Sequence, residues 1–324
     1  MSGSRAVSAL AAAFIAVFAA TAATAATAAN AQSVRVADSL LQAGALVRAE
    51  SIYYAAVRAR PHDPIARWAL GRYLVSRGAP RVGATLFEES LKFGGEPAIV
   101  GRDLAAAYLS MGDYAHLATL ASATPDERQR AKFLAAHASR VVAPESSLVA
   151  VFQPAGDSAT IGRVMIRVNG HTLDAAVSAR VQGIVIADTS IVARSLHAFG
   201  APRGQTGRSS VLAAADSVAI GRLTMISVPV VIDRLERRAG ATIGLDVLAR
   251  FAPTFDPLAQ RITLHAGGTV PRIDGQRFEM LMTPTDVRVA RAGGWSSVSR
   301  APVEQLLRTH RWTLDTRRGQ LVVE

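Results

Sequence analysis

Two rhythms divide the chain. From residue 35 to about 138 apolar positions recur with helical spacing, and from residue 147 onward they alternate as in strands. In the first part Gly44, Gly78 and Gly112 follow one another at 34-residue intervals. Each glycine closes one amphipathic stretch and opens another, as in ADSLLQAGALVRAESIYYAAVRARP, WALGRYLVSRGAPRVGATLFEESLKFG and DLAAAYLSMGDYAHLATLAS. The spacing predicts paired helices with a glycine turn inside each pair. Ala49, Tyr53 and Ala56 set a small-large-small pattern on one helix. Phe87 repeats the large position one period after Tyr53, and Leu70, Gly71 and Tyr73 occupy the opposing helix. Small residues let paired helices approach, and aromatics fill the groove between pairs. DERQRAKFLAAHASR predicts a further helix, with Asp126 and Glu127 suited to its first turn.

In the second part GRVMIRVNGHTLDAAV predicts a hairpin. Val164, Ile166 and Val168 point one way, Arg163, Met165 and Arg167 the other, and Asn169-Gly170 makes the turn. SSVLAAADSVAIGRLTMISVPVVI predicts a second strand pair around Gly221, GLDVLARF a short helix, and APTFDPLAQRITLH a closing strand pair. The tail repeats part of this phrase. Asp256 precedes Ile262 by six positions in FDPLAQRITL, and Asp315 precedes Leu321 by six in LDTRRGQLVV.

The helical part resembles a tetratricopeptide array, whose repeat has this 34-residue helix-turn-helix period. The third unit departs from the pattern in carrying Leu117 where alanine is usual. Such a resemblance implies either a peptide-binding platform or a plain spacer. The β part resembles the retropepsin-like aspartic proteases of bacteria over about 110 residues. The NG hairpin, Gly183-Ile184-Val185-Ile186, Val218-Ala219-Ile220-Gly221, Val228-Pro229-Val230, Gly244-Leu245-Asp246-Val247-Leu248 and Phe255-Asp256 fall in that family's order. The family places Asp-Thr-Gly-Ala about eight residues after the hairpin glycine. Here Ser178-Ala179-Arg180-Val181 stands there, and counting back from Gly183 gives the same register.

That substitution decides what chemistry to expect. The family's mechanism needs two carboxylates sharing a proton, one supplied by each half of a symmetric dimer or of a fused chain. A serine hydroxyl stays neutral and supplies no base. A glycine at position 180 would permit a tight turn that a side chain strains, and Arg180 adds a cation. Asp188-Thr189-Ser190 resembles the motif but lies 18 residues after Gly170, ahead of SIVARSLHAFG, so a helix cap at Asp188 or Ser190 is the competing assignment. In the tail, RAGGWSSVSRAPVEQLL resembles a second catalytic loop, with Arg291-Ala292-Gly293-Gly294 at the motif; the plainer alternative is a β-helix-β extension. His171, His197 and His265 lie near no nucleophile-elbow pattern, the histidines show no metal-ligand spacing, and no phosphate-binding loop occurs.

Composition adds a compartment and removes some partners. Arg5, the apolar run over residues 6–20 and Ala29-Asn30-Ala31 form a signal-peptide pattern ending at residue 31. No cysteine is present, which excludes disulfides, thiolate metal sites and a thiol nucleophile. The formal charge is +11, but the basic residues are dispersed, and all except Lys92 and Lys132 are arginine. No basic stripe interleaved with aromatics marks a nucleic-acid surface.

The expected chain is an α+β multidomain protein with an N-terminal α-helical array. A signal peptide spans 1–31, tetratricopeptide-like repeats 35–140, an all-β retropepsin-like barrel 147–267, and a small β-rich C-terminal extension or degenerate second half-copy 271–324. Its expected function is an exported, non-catalytic peptide- or protein-binding module without cofactor or metal. It would act as a homodimer or an intrachain pseudo-dimer, in the periplasm or secreted. The alternative is an active aspartic-type endopeptidase using Asp188.

Overall fold

The structure is a computed structural model describing residues 32–154, 160–199, 210–233, 240–268, 270, 272–283, 286–291, 294–300 and 303–324. The expected signal peptide lies outside the described residues. An N-terminal helical array leads into a β-barrel with additional strands. The array comprises α1 (32–42), α2 (Leu46–Ala59), α3 (Pro64–Ser76), α4 (Pro80–Lys92), α5 (Pro97–Met111), α6 (Tyr114–Thr119) and α7 (Pro125–Ala136). Gly44, Gly78 and Gly112 stand at the α1–α2, α3–α4 and α5–α6 turns with φ of 78°, 82° and 70°. That is the left-handed conformation for which glycine is favoured at a helix end. Proline opens α3, α4, α5 and α7, where its missing N–H would have had no partner. Thr124 and Glu127 close a capping box on α7, and the bond from the Thr124 backbone N–H holds the Glu127 carboxyl below its ordinary range.

Ala49, Tyr53, Ala56, Leu70, Tyr73 and Phe87 are all buried between the helices. The Phe87 ring covers Gly71 so closely that a Cβ there would meet Cε1 at 2.7 Å. Three tyrosines join successive helices by donating to carboxylates: Tyr53 to Asp38, Tyr73 to Glu50 and Tyr108 to Glu88. Burial first, and the carboxylate acceptor second, push each phenol above its ordinary value. The final pair is abbreviated, since α6 has only six residues.

The barrel follows from the alternation. Val164, Ile166 and Val168 of β3 (Gly162–Val168) face inward, while Met165 and Arg167 are exposed. Asn169 and Gly170, both with positive φ, turn β3 into β4 (His171–Ser178). The ring continues through β9 (Ala241–Gly244), β5 (Ile184–Ala187), β8 (Leu223–Asp233) and β7 (Ser210–Ile220), which pairs back on β3 and closes it. Short β1 (Arg140–Val142) pairs with β8, so the β region starts ahead of residue 147. The helix expected over SIVARSLHAFG is a single 3-10 turn, Ile191–Ser195, followed by two-residue β6 (His197–Ala198). Helix α8 (Leu245–Ala249) follows β9 as expected.

The tail is continuous with this sheet rather than appended to it. From β3 the hydrogen-bonded order runs outward through β2 (Ser147–Pro154), β11 (Arg261–His265) and β10 (Thr254–Asp256). It continues into β15 (Trp312–Asp315), β16 (Gln320–Val323), β12 (Gln276–Thr283), β13 (Asp286–Arg291) and β14 (Gly294–Ser297). Read outward from the β10–β15 junction, the two sides have the same plan. Phe255 faces Ile262 in one hairpin and Leu314 faces Leu321 in the other. The next neighbours are Ala150 and Phe278, opposite Ile262 and Leu321. Further out, Phe152 faces Val164 as Met280 faces Val289, and Val164 faces Ala175 as Val289 faces Ser296. At the junction the corresponding residues Thr254 and Thr313 pair with each other, their hydroxyls 2.8 Å apart. Phe255 stacks on Trp312 with ring centroids 4.1 Å apart, and Val287, Val303 and Leu314 join the barrel's own core. The second side lacks counterparts of β5 to β9 among the described residues, and α9 (Val303–Thr309) leads into β15 as α8 leads into β10.

The helical array rests on this second side. Arg77, at the end of α3, donates to the carbonyls of Met280 (2.8 Å) and Gly319 (3.1 Å) and pairs with Glu279. Trp295 donates to the Leu41 carbonyl, and Leu281 and Trp295 pack among α1, α2 and α3. The glycine turns themselves meet the tail: a Cβ on Gly78 would stand 2.6 Å from the Thr316 carbonyl oxygen.

Candidate functional site

Ser178 ends β4, paired in parallel with Gly244 of β9. Burial of Ala175, Ala176 and Val177 holds the strand in the core, and the hydroxyl is itself buried. It accepts from the N–H of Arg180 at 3.1 Å, a short side-chain-to-backbone turn that shapes the loop. Ala179 is buried beside it, whereas Arg180 is exposed. The expected strain at Arg180 is absent: it is not among the described non-glycine residues with positive φ, which are Asn169, Ser227, Ala252 and Gln260. The loop returns past Val181 to Gly183, which takes the left-handed conformation instead, with φ of 74°. Both Asp246 oxygens accept from the Gly183 N–H, at 3.0 and 3.1 Å. Burial is the largest influence on that carboxyl and raises its pKa, against the hydrogen bonds that lower it. Asp246 therefore braces the loop from behind.

The corresponding place on the second side is Ser299, three residues beyond Ser296 as Ser178 is three beyond Ala175. The intervening valines correspond as well. Val177 pairs with Gly162, Val298 donates to the Val287 carbonyl at 2.9 Å, and both valines are buried. Ser299 is buried like Ser178. The two loops touch: Arg180 Nε donates to Ser299 Oγ at 3.4 Å. Behind Ser299 stands Ser297, whose hydroxyl lies 2.9 Å from that of Ser299 and donates to Asp286 Oδ1 at 2.6 Å. Asp286 Oδ2 accepts from Arg288 Nε at 3.0 Å. The polar centre thus runs Arg180, Ser299, Ser297, Asp286, Arg288.

This corrects the placement of Arg291 at the second motif. Arg291 and Gly294 are register partners of β13 and β14, so they close a hairpin, corresponding in order to the Asn169-Gly170 turn. Ala292 and Gly293 lie outside the described residues. Asp286, Ser297 and Ser299 were missed; the signal for them was the alternation in WSSVS, read outward from a hairpin at the paired glycines.

Asp188 is not brought to Ser178. Ser178 lies level with Gly244, beside the beginning of β5, while Asp188 follows its far end, where its N–H donates to the Asp233 carbonyl. Four residues of strand separate the two levels, about 13 Å. Asp188 is exposed, and Ser190 caps the 3-10 turn by accepting from the Val192 N–H. His197 bonds Asp216, His265 faces Thr254, and neither bonds Ser178. Among the described residues no cluster of histidine, aspartate and glutamate could hold a metal ion, and no helix is long and apolar enough to cross a membrane.

What these loops can do follows from their groups. Hydroxyls and backbone amides can hydrogen-bond an extended peptide, and a guanidinium can hold an anion. Activating water in the aspartic-protease manner requires a second carboxylate facing the first. Asp286 and Asp246 do not face each other: each is turned to its own loop and its own donors.

No protein-family model matches the chain, and a search of curated proteins finds no match. Among solved structures, part of the chain is similar to a retropepsin-like aspartic protease from Rickettsia conorii, with 13% identity and a TM-score of 0.27 over 39% of this chain and 92% of that one. It is also similar to Basic 7S globulin from soybean, with 15% identity and a TM-score of 0.22 over 38% of this chain and 42% of that one. The chemistry assigned to the site rests on its own geometry.

Proposed function

We propose that this chain is a non-catalytic polypeptide-binding protein. Its cleft would be built from two unequal halves of an aspartic-protease-like frame, with residues 271–324 serving as a degenerate second half-copy. The observation that carries this reading is the pair of buried serines at corresponding register positions, Ser178 at the end of β4 and Ser299 two residues beyond β14, with Arg180 bridging their loops. A peptidase of this plan needs titratable oxygens at both places, and hydroxyls at both leave a cleft able to grip but unable to polarise water. Because the second half is supplied in the same chain, the working form is an intrachain pseudo-dimer. The tetratricopeptide-like array buttresses that half through Arg77 and offers a second surface for a protein partner. The signal-peptide pattern in residues 1–31 directs the protein to the periplasm or outside the cell.

The test is incubation of the purified protein with an unfolded, fluorescently labelled polypeptide at pH 4 and pH 7, following both binding and cleavage. Binding without cleavage is the expected result. Cleavage that disappears in Asp188→Ala would establish the displaced-acid peptidase instead, and failure to bind any unfolded chain would reject the cleft.

A further inference from the structure

The charge where the two loops meet is the opposite of what an acid pair would give it. Arg180 is exposed at the junction of the two loops. Its Nε is directed to Ser299 Oγ, and among the described residues no carboxylate pairs with its guanidinium. The serine that receives it is fixed in turn by Ser297 and Asp286. Asp286 is already engaged by Ser297 and Arg288, so it does not neutralise Arg180. Arg300, exposed next to Ser299, adds a second positive charge at the same level. A guanidinium tethered at Nε still presents its two terminal nitrogens, the fork that binds a carboxylate.

Resting on the polypeptide-binding reading above, we infer that the cleft selects polypeptides bearing a carboxylate and that Arg180 is the residue that holds it. The serines also position Arg180: Ser178 Oγ receives its backbone N–H and shapes the loop, and Ser299 Oγ receives Nε and tethers the guanidinium to the other half. Two sources share this chemistry, the C-terminal carboxylate of a chain and an internal aspartate or glutamate side chain.

Three fluorescein-labelled twelve-residue peptides with one common uncharged core separate them. One ends in a free carboxylate, one is amidated, and one is amidated with a central glutamate. Fluorescence anisotropy with the full chain should show one carboxylate-bearing peptide, or both, bound about tenfold more tightly than the amidated control, as for one charge-assisted contact at a partly exposed site. Whichever peptide gains identifies the source. Arg180→Gln should remove that preference, Arg180→Lys should keep part of it, and Ser299→Ala should weaken it. Equal affinities for all three peptides, or a preference that survives in Arg180→Gln, would overturn the inference while leaving the polypeptide-binding reading intact. No binding of any peptide would sink that reading and the inference together. Circular dichroism of each variant confirms that a lost preference is not lost folding.

Discussion

Replacing Arg77 by alanine should uncouple the helical array from the second half of the sheet. The side chain is 18% exposed and serves three acceptors: the Met280 and Gly319 carbonyls and the Glu279 carboxylate. Hydrogen bonds from a charged donor contribute about 1.5–3 kcal/mol each before partial exposure is discounted. The Glu279 pair adds under about 1 kcal/mol, because that carboxylate is 41% exposed. Losing all three deprives the Met280 carbonyl of this donor and leaves the Gly319 carbonyl only the Met280 N–H, and a net loss of about 2–4 kcal/mol is expected. Chemical unfolding followed by tryptophan fluorescence reads it well. Trp68 reports on the array, Trp312 on the shared core, and Trp295 on the junction through its bond to Leu41. The unaltered protein should unfold the array and tail together. In Arg77→Ala the array should unfold first, so that the probes no longer coincide. Arg77→Lys should recover part of the loss, since a single ammonium cannot span three acceptors. Arg72→Ala, whose side chain is 54% exposed, should change stability by less than about 0.5 kcal/mol. Coincident transitions and a loss below about 0.5 kcal/mol in Arg77→Ala would refute the claim that this arginine joins the two parts.

Three further outcomes follow from the packing. Gly71→Ala should destabilise the array by about 1–3 kcal/mol despite alanine's better helix propensity, because its Cβ would meet the Phe87 ring at 2.7 Å. A thermal midpoint equal to that of the parent would contradict this. Thr313→Val should cost about 1 kcal/mol by leaving the Thr254 hydroxyl only its longer contact to His265, and Thr254→Val/Thr313→Val should cost less than the two single changes combined. Strict additivity in that cycle would mean that the junction hydroxyls do not act as a pair. His265 is buried, and burial first, then Arg311, depresses its pKa. The unfolded chain therefore takes up its proton before the folded one does, and stability falls as pH drops below about 6.5 toward the folded value. His265→Gln should flatten that part of the curve, and parallel pH profiles for the two proteins between pH 7 and 5 would reject the assignment.

Much of the fold was readable because burial alone dictates it. Gly44, Gly78 and Gly112 carry the period of the array and each takes the left-handed turn that the spacing implies. The β3–β4 hairpin has the inward valines and isoleucine that alternation assigns it. Three features stayed hidden, each for a physical reason. Arg77 reaches Met280 and Gly319 across more than 200 residues of chain, and helical periodicity carries no information about such distant partners. The 3-10 turn at Ile191–Ser195 looked like a longer helix because Ser190 gives the same capping signal for either. The second motif was misplaced because the glycines after Arg291 imitate the sequence of a catalytic loop, whereas Arg291 and Gly294 are paired across a hairpin. Only the hydrogen-bond register distinguishes the two, and it moves the equivalent of Ser178 from Arg291 to Ser299.

The register also shows what holds the first loop in shape. Ser178 Oγ accepts the Arg180 N–H two residues on, a bond that any side-chain oxygen at that place can take. The loop keeps its shape from this bond, from Gly183 and from Asp246, none of which requires an acid at position 178. The strands beneath are held by Val177 and Val298, buried on the two sides of the same plan. The bonds that shape the loop and the strands beneath it therefore do not depend on the acidity of the residue at position 178. On the binding reading proposed above, two neutral hydroxyls with a guanidinium between their loops would favour anionic chain segments over cationic ones.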